Sequence, residues 1–170
     1  GLDDDLYLVD SKNIPISEGI GGGTDTVRSS VGFHLGDNFE FLVLTGGKDI
    51  SGVGSADDNW LYGNKGDNHL SGRGGGDVLY GSLGNDLLTG GAGPDFFVFA
   101  KGYGHDTITD FTTGADRINL HYVGGIGSIK DVLDHASQQG GNVELRFGHG
   151  DVLTIEDTHL AKLTDADFLF

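Results

Sequence analysis

The chain has 170 residues, 32 of them Gly, with no Cys and no Met, and carries 26 Asp and Glu against 10 Lys and Arg, a net charge of −16. That balance argues against nucleic acid and anionic membrane surfaces as partners, since both attract basic patches, and the missing cysteines exclude disulfide staples and thiol catalysis. No apolar run approaches the roughly 18 residues of a membrane-spanning helix. The opening residues do not read as an N-terminal signal peptide and none is expected, and with no Met and an opening at Gly1 the chain is expected to belong to a longer polypeptide.

In chain order, Gly1–Asp10 reads as the tail of a repeat, with an acid at Asp5 and an inward apolar residue at Tyr7. Residues 11–53 keep the theme at longer spacing. Ile20–Val27 is a glycine loop followed by Asp25 and Val27, and Phe39–Gly46 is a strand and a turn. This stretch is read as irregular coils of a solenoid.

From Gly54 to Val98 the period is strict. Five nine-residue blocks begin at Gly54, Gly63, Gly72, Gly81 and Gly90. Position six is Asn59, Asn68, Asp77, Asp86 and Asp95, and position eight is Leu61, Leu70, Leu79, Leu88 and Phe97. The glycine-rich half must turn sharply, and Gly accepts positive φ at little cost. The other half is a three-residue strand whose middle side chain points opposite to its neighbours. Two blocks close one coil, so Asn59, Asp77 and Asp95 stack in one column and Asn68 and Asp86 in the other. Stacked carboxylates repel unless a cation lies between them. Ca²⁺ suits such a gap because it takes about six to eight oxygens, backbone carbonyls included.

Lys101–Thr109 is a last, displaced repeat, followed by Asp110 and Phe111. From Ala115 the composition is that of a small α+β cap. Arg117–Leu120 alternates as a strand. Ser128–Ala136 has helical spacing, with Ser128 as N-cap and Gly140 as the stop. Val143–Phe147 and Val152–Ile155 form a hairpin around Gly148–Asp151. A solenoid end exposes core and strand edges and needs covering. Ile129, Val132, Leu133, Leu160, Leu163, Phe168 and Phe170 are therefore expected to bury against Phe97, Phe99, Ile108 and Phe111. The fold class expected is all-β: a parallel β-roll over residues 1–110 (irregular coils 1–53, regular nonapeptides 54–110) with a small α+β C-terminal cap over 111–170.

The seven His residues are scattered, with no His-Glu-x-x-His for zinc. No Ser has a His and Asp arrangement for nucleophilic catalysis. Any catalytic domain is expected upstream of Gly1. Positions seven and nine point outward, giving Trp60, Val78 and Phe96 beside Tyr62, Tyr80 and Val98 on one face, and His69 and Leu87 beside Ser71 and Thr89 on the other. Such apolar area is either covered by the cap or the N-terminal coils, or it is a platform for sugar rings or a partner domain.

The nonapeptides, with Gly23–Ser30, Asp106–Phe111 and Leu163–Phe170, resemble the C-terminal RTX (haemolysin-type calcium-binding) regions of bacterial proteins exported by type I secretion. These regions occur on serralysin-type proteases, lipases, haemolysins, alginate epimerases and adhesins. The resemblance implies a β-roll with several Ca²⁺ ions between loops of successive coils. One loop would supply positions two, four and six, and the next would supply one, three and six. On this chain that joins Arg73, Gly75 and Asp77 with Gly90, Ala92 and Asp95. It joins Asn64, Gly66 and Asn68 with Gly81, Leu83 and Asp86, and Ser55, Asp57 and Asn59 with Gly72, Gly74 and Asp77. A last site would pair Ser82, Gly84 and Asp86 with the Asp106 and Asp110 region. Asn59, Asn68 and Asp57 depart from the family pattern and weaken the N-terminal sites.

The resemblance further implies a non-catalytic, secreted module that folds on Ca²⁺ outside the cell and stabilises a larger protein. Its expected partners are the upstream domain of the same polypeptide and the type I secretion apparatus. The alternative is a polysaccharide-binding module of a secreted enzyme, or part of an adhesin.

Overall fold

The elements of the computed structural model, in chain order, are β1 (Leu6–Val9), β2 (Thr26–Ser29), β3 (Phe33–His34), β4 (Phe41–Leu44), β5 (Ser51–Val53), β6 (Trp60–Tyr62), β7 (His69–Gly74), β8 (Val78–Tyr80), β9 (Leu87–Ala92), β10 (Phe96–Ala100), β11 (His105–Ile108), β12 (Arg117–Tyr122), α1 (Ile129–Asp134), β13 (Ala136–Gln139), β14 (Asn142–Arg146), β15 (Val152–Ile155) and β16 (Phe168–Leu169). The structure describes residues 2–12 and 14–170; Gly1, the first residue of the expected repeat tail, lies outside them.

Two sheets result. One runs β1-β2-β4-β6-β8-β10-β12-β16, and the other β13-β14-β15-β11-β9-β7-β5-β3. Through the regular blocks the chain alternates between them, so each pair of blocks is one coil of a parallel β-solenoid. The register follows the sequence period. Leu61 pairs with Leu79 and Leu79 with Phe97 on one side, and Leu70 with Leu88 on the other. All five are buried. Burying each Leu side chain contributes about 1.5–3 kcal/mol relative to exposure.

The same column runs through the irregular coils, where Tyr7 pairs with Val27, Val27 with Leu42 and Leu42 with Leu61. In the facing sheet Gly52 stands level with Leu70. A methyl there would lie 3.0 Å from a Leu42 methyl and 3.1 Å from a Leu70 methyl, so neighbouring leucines fill the place of a core side chain.

Beyond residue 110 neither sheet stops. β12 and then β16 extend the first, and β15 extends the second beside β11. β14 and β13 then add antiparallel, which ends the stack of parallel coils. The helix is shorter than the spacing predicts. Ser128 caps its start by accepting from the Asp131 N–H, but His135 closes it. Ala136–Gln139 instead pair with β14, and Gly140, at φ 62°, turns that hairpin rather than ending a helix. Val132, Leu163 and Phe168 are buried, while Ile129, Leu160 and Phe170 pack at the core's margin. Leu133 is the exception at 42 % exposed. Phe111 sits 6.3 Å from Phe97, ring to ring.

On the outer face of the first sheet the aromatics form a ladder. Tyr62 and Tyr80 stack at 4.6 Å, and Trp60 lies 6.2 Å from Tyr80 and 5.8 Å from Phe41. Trp60 remains 39 % exposed, so the ladder is not sealed by other parts of the chain. Val98, expected in the outward set, is buried between Tyr80 and Asn119 of the flanking strands.

Candidate metal centre

Position six lies at the corner where a glycine loop enters a strand. There the backbone N–H of one coil points at the acid of the next. Asn59 donates to Asp77 Oδ1 at 2.7 Å, Asp77 to Asp95 Oδ1 at 2.9 Å, and Asp95 to Asp116 Oδ1 at 2.9 Å. On the opposite edge Asn68 donates to Asp86 Oδ1 at 2.7 Å and Asp86 to Asp106 Oδ1 at 3.0 Å. Each coil thus settles one oxygen of the acid in the next coil.

The second oxygen divides these residues into two groups. In Asp77, Asp86, Asp95 and Asp106, Oδ2 is buried and has no hydrogen-bond partner. Burying a charged oxygen without a partner is costly, and desolvation pushes the Asp77 and Asp86 carboxyls up to about 7, Asp95 to about 6 and Asp106 to about 8. Neighbouring carboxylates add to the rise, and the single backbone N–H opposes it.

The other group is satisfied by protein. Asp116 Oδ2 accepts from Thr112 N–H at 2.7 Å, and Asp151 Oδ2 from Gly102 N–H at 2.8 Å. Asn59 accepts from Ser55 N–H through Oδ1 and donates through Nδ2 to the Phe39 carbonyl at 2.7 Å. Asn68 accepts from Asn64 N–H and donates to the Ile50 carbonyl at 3.1 Å.

The glycines explain the crowding. At positions two and four the backbone is left-handed in the last three blocks: Arg73 (83°), Ser82 (78°) and Gly91 (108°), then Gly75 (100°), Gly84 (131°) and Gly93 (132°). Position one is not left-handed. It is Gly because the acid of its own block stands over it. A methyl on Gly72 would lie 2.1 Å from Asp77 Oδ2 and 2.6 Å from the Gly90 carbonyl. A methyl on Gly81 would lie 2.4 Å from Asp86 Oδ2, and one on Gly90 2.3 Å from Asp95 Oδ2. The orphaned oxygens therefore face space walled by carboxylate and carbonyl oxygens, the donor set of a hard cation such as Ca²⁺.

Of the expected groupings, the structure brings Asp77 together with Asp95, and Asp86 with Asp106. The carbonyls of Arg73, Gly75 and Gly84 point at the glycines of the next loop, 2.2, 1.9 and 2.2 Å from where methyls on Gly91, Gly93 and Gly104 would sit. The Gly66 carbonyl does the same to Gly84 at 2.5 Å, and the Asp57 carbonyl to Gly75 at 2.7 Å. Ala92 O accepts from Gly75 N–H at 3.0 Å. Gly74 faces only that carbonyl, 3.7 Å from a methyl. Ser55, Asn64, Asn59 and Asn68 are held by their own hydrogen bonds. Ser82 Oγ donates to the Gly63 carbonyl, and Leu83 is 46 % exposed. The two oxygens of Asp110 accept from Gly90 and Gly91 N–H at 2.9 and 2.8 Å. Sequence reasoning passed over Asp116, which continues the first column beyond Asp95 without a nonapeptide around it, and Asp151, which stands level with Gly104 rather than Asp106 and accepts the Gly104 N–H at 3.3 Å.

Residues 53–88, 62–97 and 71–104 match the RTX calcium-binding nonapeptide repeat. The chain is similar to the endo-1,3-1,4-beta-glycanase EglC of Rhizobium meliloti (strain 1021), 39% identical over 160 residues, which is 94% of this chain and 32% of that protein. Among solved structures it is similar in fold to the extracellular lipase LipA from Serratia marcescens, with a TM-score of 0.52 at 15% identity, covering 99% of this chain and 37% of the lipase. The AlgE6R3 subunit of the Azotobacter vinelandii mannuronan C5-epimerase is 28% identical over 67% of this chain and 78% of that subunit, with a TM-score of 0.29. The chain thus spans about a third of the length of the glycanase and the lipase.

Two outcomes follow from this geometry. Gly72→Ala places a methyl on Asp77 Oδ2 and should raise the Ca²⁺ concentration needed for β structure, or abolish that structure. Gly74→Ala, whose methyl meets only ordinary contact, should leave the midpoint within a factor of about two. A calcium titration followed by circular dichroism compares them, and equal midpoints for the two variants contradict the cradle.

The second outcome concerns pH. Burial raises the Asp77, Asp86, Asp95 and Asp106 carboxyls to about 6 to 8, whereas free Asp titrates near 3.9. Between those limits the folded chain binds more protons than the unfolded one, so its stability falls as pH rises through that window. With EGTA present, β signal should be greater at about pH 5 than at about pH 8, and a flat profile contradicts the assignment.

Proposed function

We propose that this chain, whose residues 53–104 are RTX calcium-binding nonapeptide repeats, is a non-catalytic module that folds when Ca²⁺ enters the two acidic columns and then stabilises a larger secreted protein. One observation carries the reading: four buried aspartates, Asp77, Asp86, Asp95 and Asp106, each keep an oxygen that no protein donor reaches. Asp77 and Asp95 would hold ions on one edge, and Asp86 and Asp106 on the other, with loop carbonyls such as those of Arg73, Gly75 and Gly90 beside them. The ion supplies positive charge where the backbone has no further N–H to offer. Asn59 and Asn68 put amides at position six of the first two regular blocks, so the calcium demand of the repeats lies in the later blocks.

A chain of net charge −16 resists compaction while its columns are unneutralised. Ca²⁺ at about 10⁻⁴–10⁻³ M suits extracellular modules of this kind, and its binding energy is then folding energy. Export before folding and folding outside the cell follow from that coupling. Among the described residues no helix is long and apolar enough to cross a membrane. The partners we assign are the upstream domain of the same polypeptide and the type I secretion apparatus.

Far-UV circular dichroism tests this. The chain should be largely disordered in EGTA and regain β signal in millimolar Ca²⁺, but poorly in Mg²⁺, which demands octahedral sites and keeps its waters. Asp77→Ala should weaken Ca²⁺-induced folding and lower the number of ions bound, whereas Asn59→Ala should keep that number. Equal β content in EGTA and Ca²⁺, or greater damage from Asn59→Ala, contradicts the reading.

A second reading, a polysaccharide-binding module, is favoured by the open ladder of Trp60, Tyr62 and Tyr80 and by the glycanase relative. Sugar rings stack on such aromatic faces. Titration with 1,3-1,4-β-glucan should quench Trp60 fluorescence in the calcium-loaded chain. No quenching, with no heat of binding, removes this reading and leaves the first intact.

A further inference from the structure

A fifth aspartate shares the signature of the four column acids but lies before the nonapeptides, two strands from the first of them. Asp25 is fully buried, its Oδ1 accepts from Asp5 N–H at 2.8 Å, and its Oδ2 has no hydrogen-bond partner. The other acids at this place are Asp5, from the coil before, and Glu18, from the long segment between β1 and β2. One oxygen from each of the three lies within 4.8 Å of the other two.

The segment is held for this meeting. Tyr7 Oη donates to Glu18 Oε1, Gly19 N–H donates to Oε2 at 3.3 Å, and the Glu18 carbonyl accepts from Asn38 Nδ2 at 3.3 Å. Gly22 is buried and forms the floor. A methyl there would lie 2.5 Å from Glu18 Oε2, 3.1 Å from the Gly19 carbonyl and 3.4 Å from Asp25 Oδ2. Gly22 is not left-handed, so its lack of a side chain serves the space above it, as in Gly72, Gly81 and Gly90.

We propose that Asp5, Glu18 and Asp25, with the Gly19 carbonyl beside them, form a calcium-class cation site that clasps residues 14–22 onto the first coil of the solenoid. The donors are all hard oxygens, three of them carboxylate, which selects a hard divalent cation. Irregular geometry around a dry, buried Oδ2 favours Ca²⁺ over Mg²⁺, which needs near-octahedral ligands and retains water. The site differs in construction from the nonapeptide columns. Its third carboxylate comes from a connecting segment, not from a stacked coil, so it ties down a stretch of chain that contributes no strand of its own. It stands independently of the calcium reading of the repeats, because none of its donors belongs to them.

The test counts ions and watches the segment. Equilibrium dialysis against ⁴⁵Ca²⁺ should give one ion fewer per chain for Glu18→Gln and for Asp25→Asn than for the unsubstituted protein. Glu18→Gln keeps the shape and the Tyr7 contact, so it decides the matter if Asp25→Asn fails to fold. Trypsin cleavage after Lys12, an exposed residue of the segment, supplies the second readout. At a Ca²⁺ concentration about ten times the dissociation constant, cleavage should slow about tenfold in the unsubstituted chain and not at all in Glu18→Gln. An unchanged ion count and unchanged protection in Glu18→Gln overturn the proposal. Circular dichroism on the same samples separates the two sites: a β signal indifferent to Ca²⁺ defeats the folding module, while the loss of one ion in Glu18→Gln upholds the clasp alone.

Discussion

A parallel coil offers each position-six acid one backbone N–H, and an aspartate has two oxygens. This mismatch governs the molecule. The first oxygen is taken by the N–H of the neighbouring coil at 2.7–3.0 Å throughout both columns. The second must be met by something that the regular coil does not contain. The chain uses three answers. Asn59 and Asn68 replace the demand with an amide that donates to a carbonyl instead. Asp116 and Asp151 receive an extra N–H from irregular turns at Thr112 and Gly102. Asp77, Asp86, Asp95 and Asp106 have neither. Through the regular blocks the oxygens left without a protein donor are therefore those of Asp77, Asp86, Asp95 and Asp106, with the amides of Asn59 and Asn68 before them and the protein-satisfied Asp116 after Asp95.

The hydrophobic core obeys the same stacking but is narrow. Each three-residue strand sends one side chain inward, so a coil contributes two core residues, such as Leu61 with Leu70 or Leu79 with Leu88. A core of that width leaves the chain sensitive to anything that pushes coils apart, and uncompensated buried acids do so. Ends are a second sensitivity, because parallel edges invite further strands. The antiparallel β14 and β13 close one sheet at the C-terminal end, and β16 closes the other.

The sequence made the regular coils legible because their period is strict. A nine-residue repeat with one inward residue in each strand dictates which residues stack, and the pairing of Leu61, Leu79 and Phe97 follows it. The irregular coils were legible only in kind, since their pitch varies: Val27 meets Leu42, Leu42 meets Leu61, and Phe97 meets Ile118, at three different separations. Local signals misled where one residue serves two purposes. Gly140 stops a helix or turns a hairpin equally well, and pairing with β14 decided for the hairpin. Asp110, grouped from the sequence with Asp86 and Asp106, accepts the Gly90 and Gly91 N–H groups, a pairing no local pattern signals. The distinction between metal-seeking and self-satisfied acids was invisible, because it depends on whether a distant loop brings a donor to the second oxygen.

The nine positions of the repeat divide their duties, and that division bears on how the fold can carry function. Position one must be Gly to leave room for an oxygen, positions two and four make the turn, position six faces the column, and position eight fills the core. Apart from the buried Val98, positions seven and nine answer to none of these demands. They project from the outer faces of the two sheets, where Trp60, Tyr62 and Tyr80 lie against one another and His69, Ser71 and Leu87 stand opposite. A recognition surface can therefore change on one face of a coil without disturbing the acids or the leucines. Its flatness and spacing are set by the parallel register, which holds Trp60 level with Val78 and Tyr62 level with Tyr80. The ions that would set the coil spacing thereby set the spacing of the aromatic rings as well, so metal-dependent folding and surface recognition are coupled through the register without sharing a single side chain.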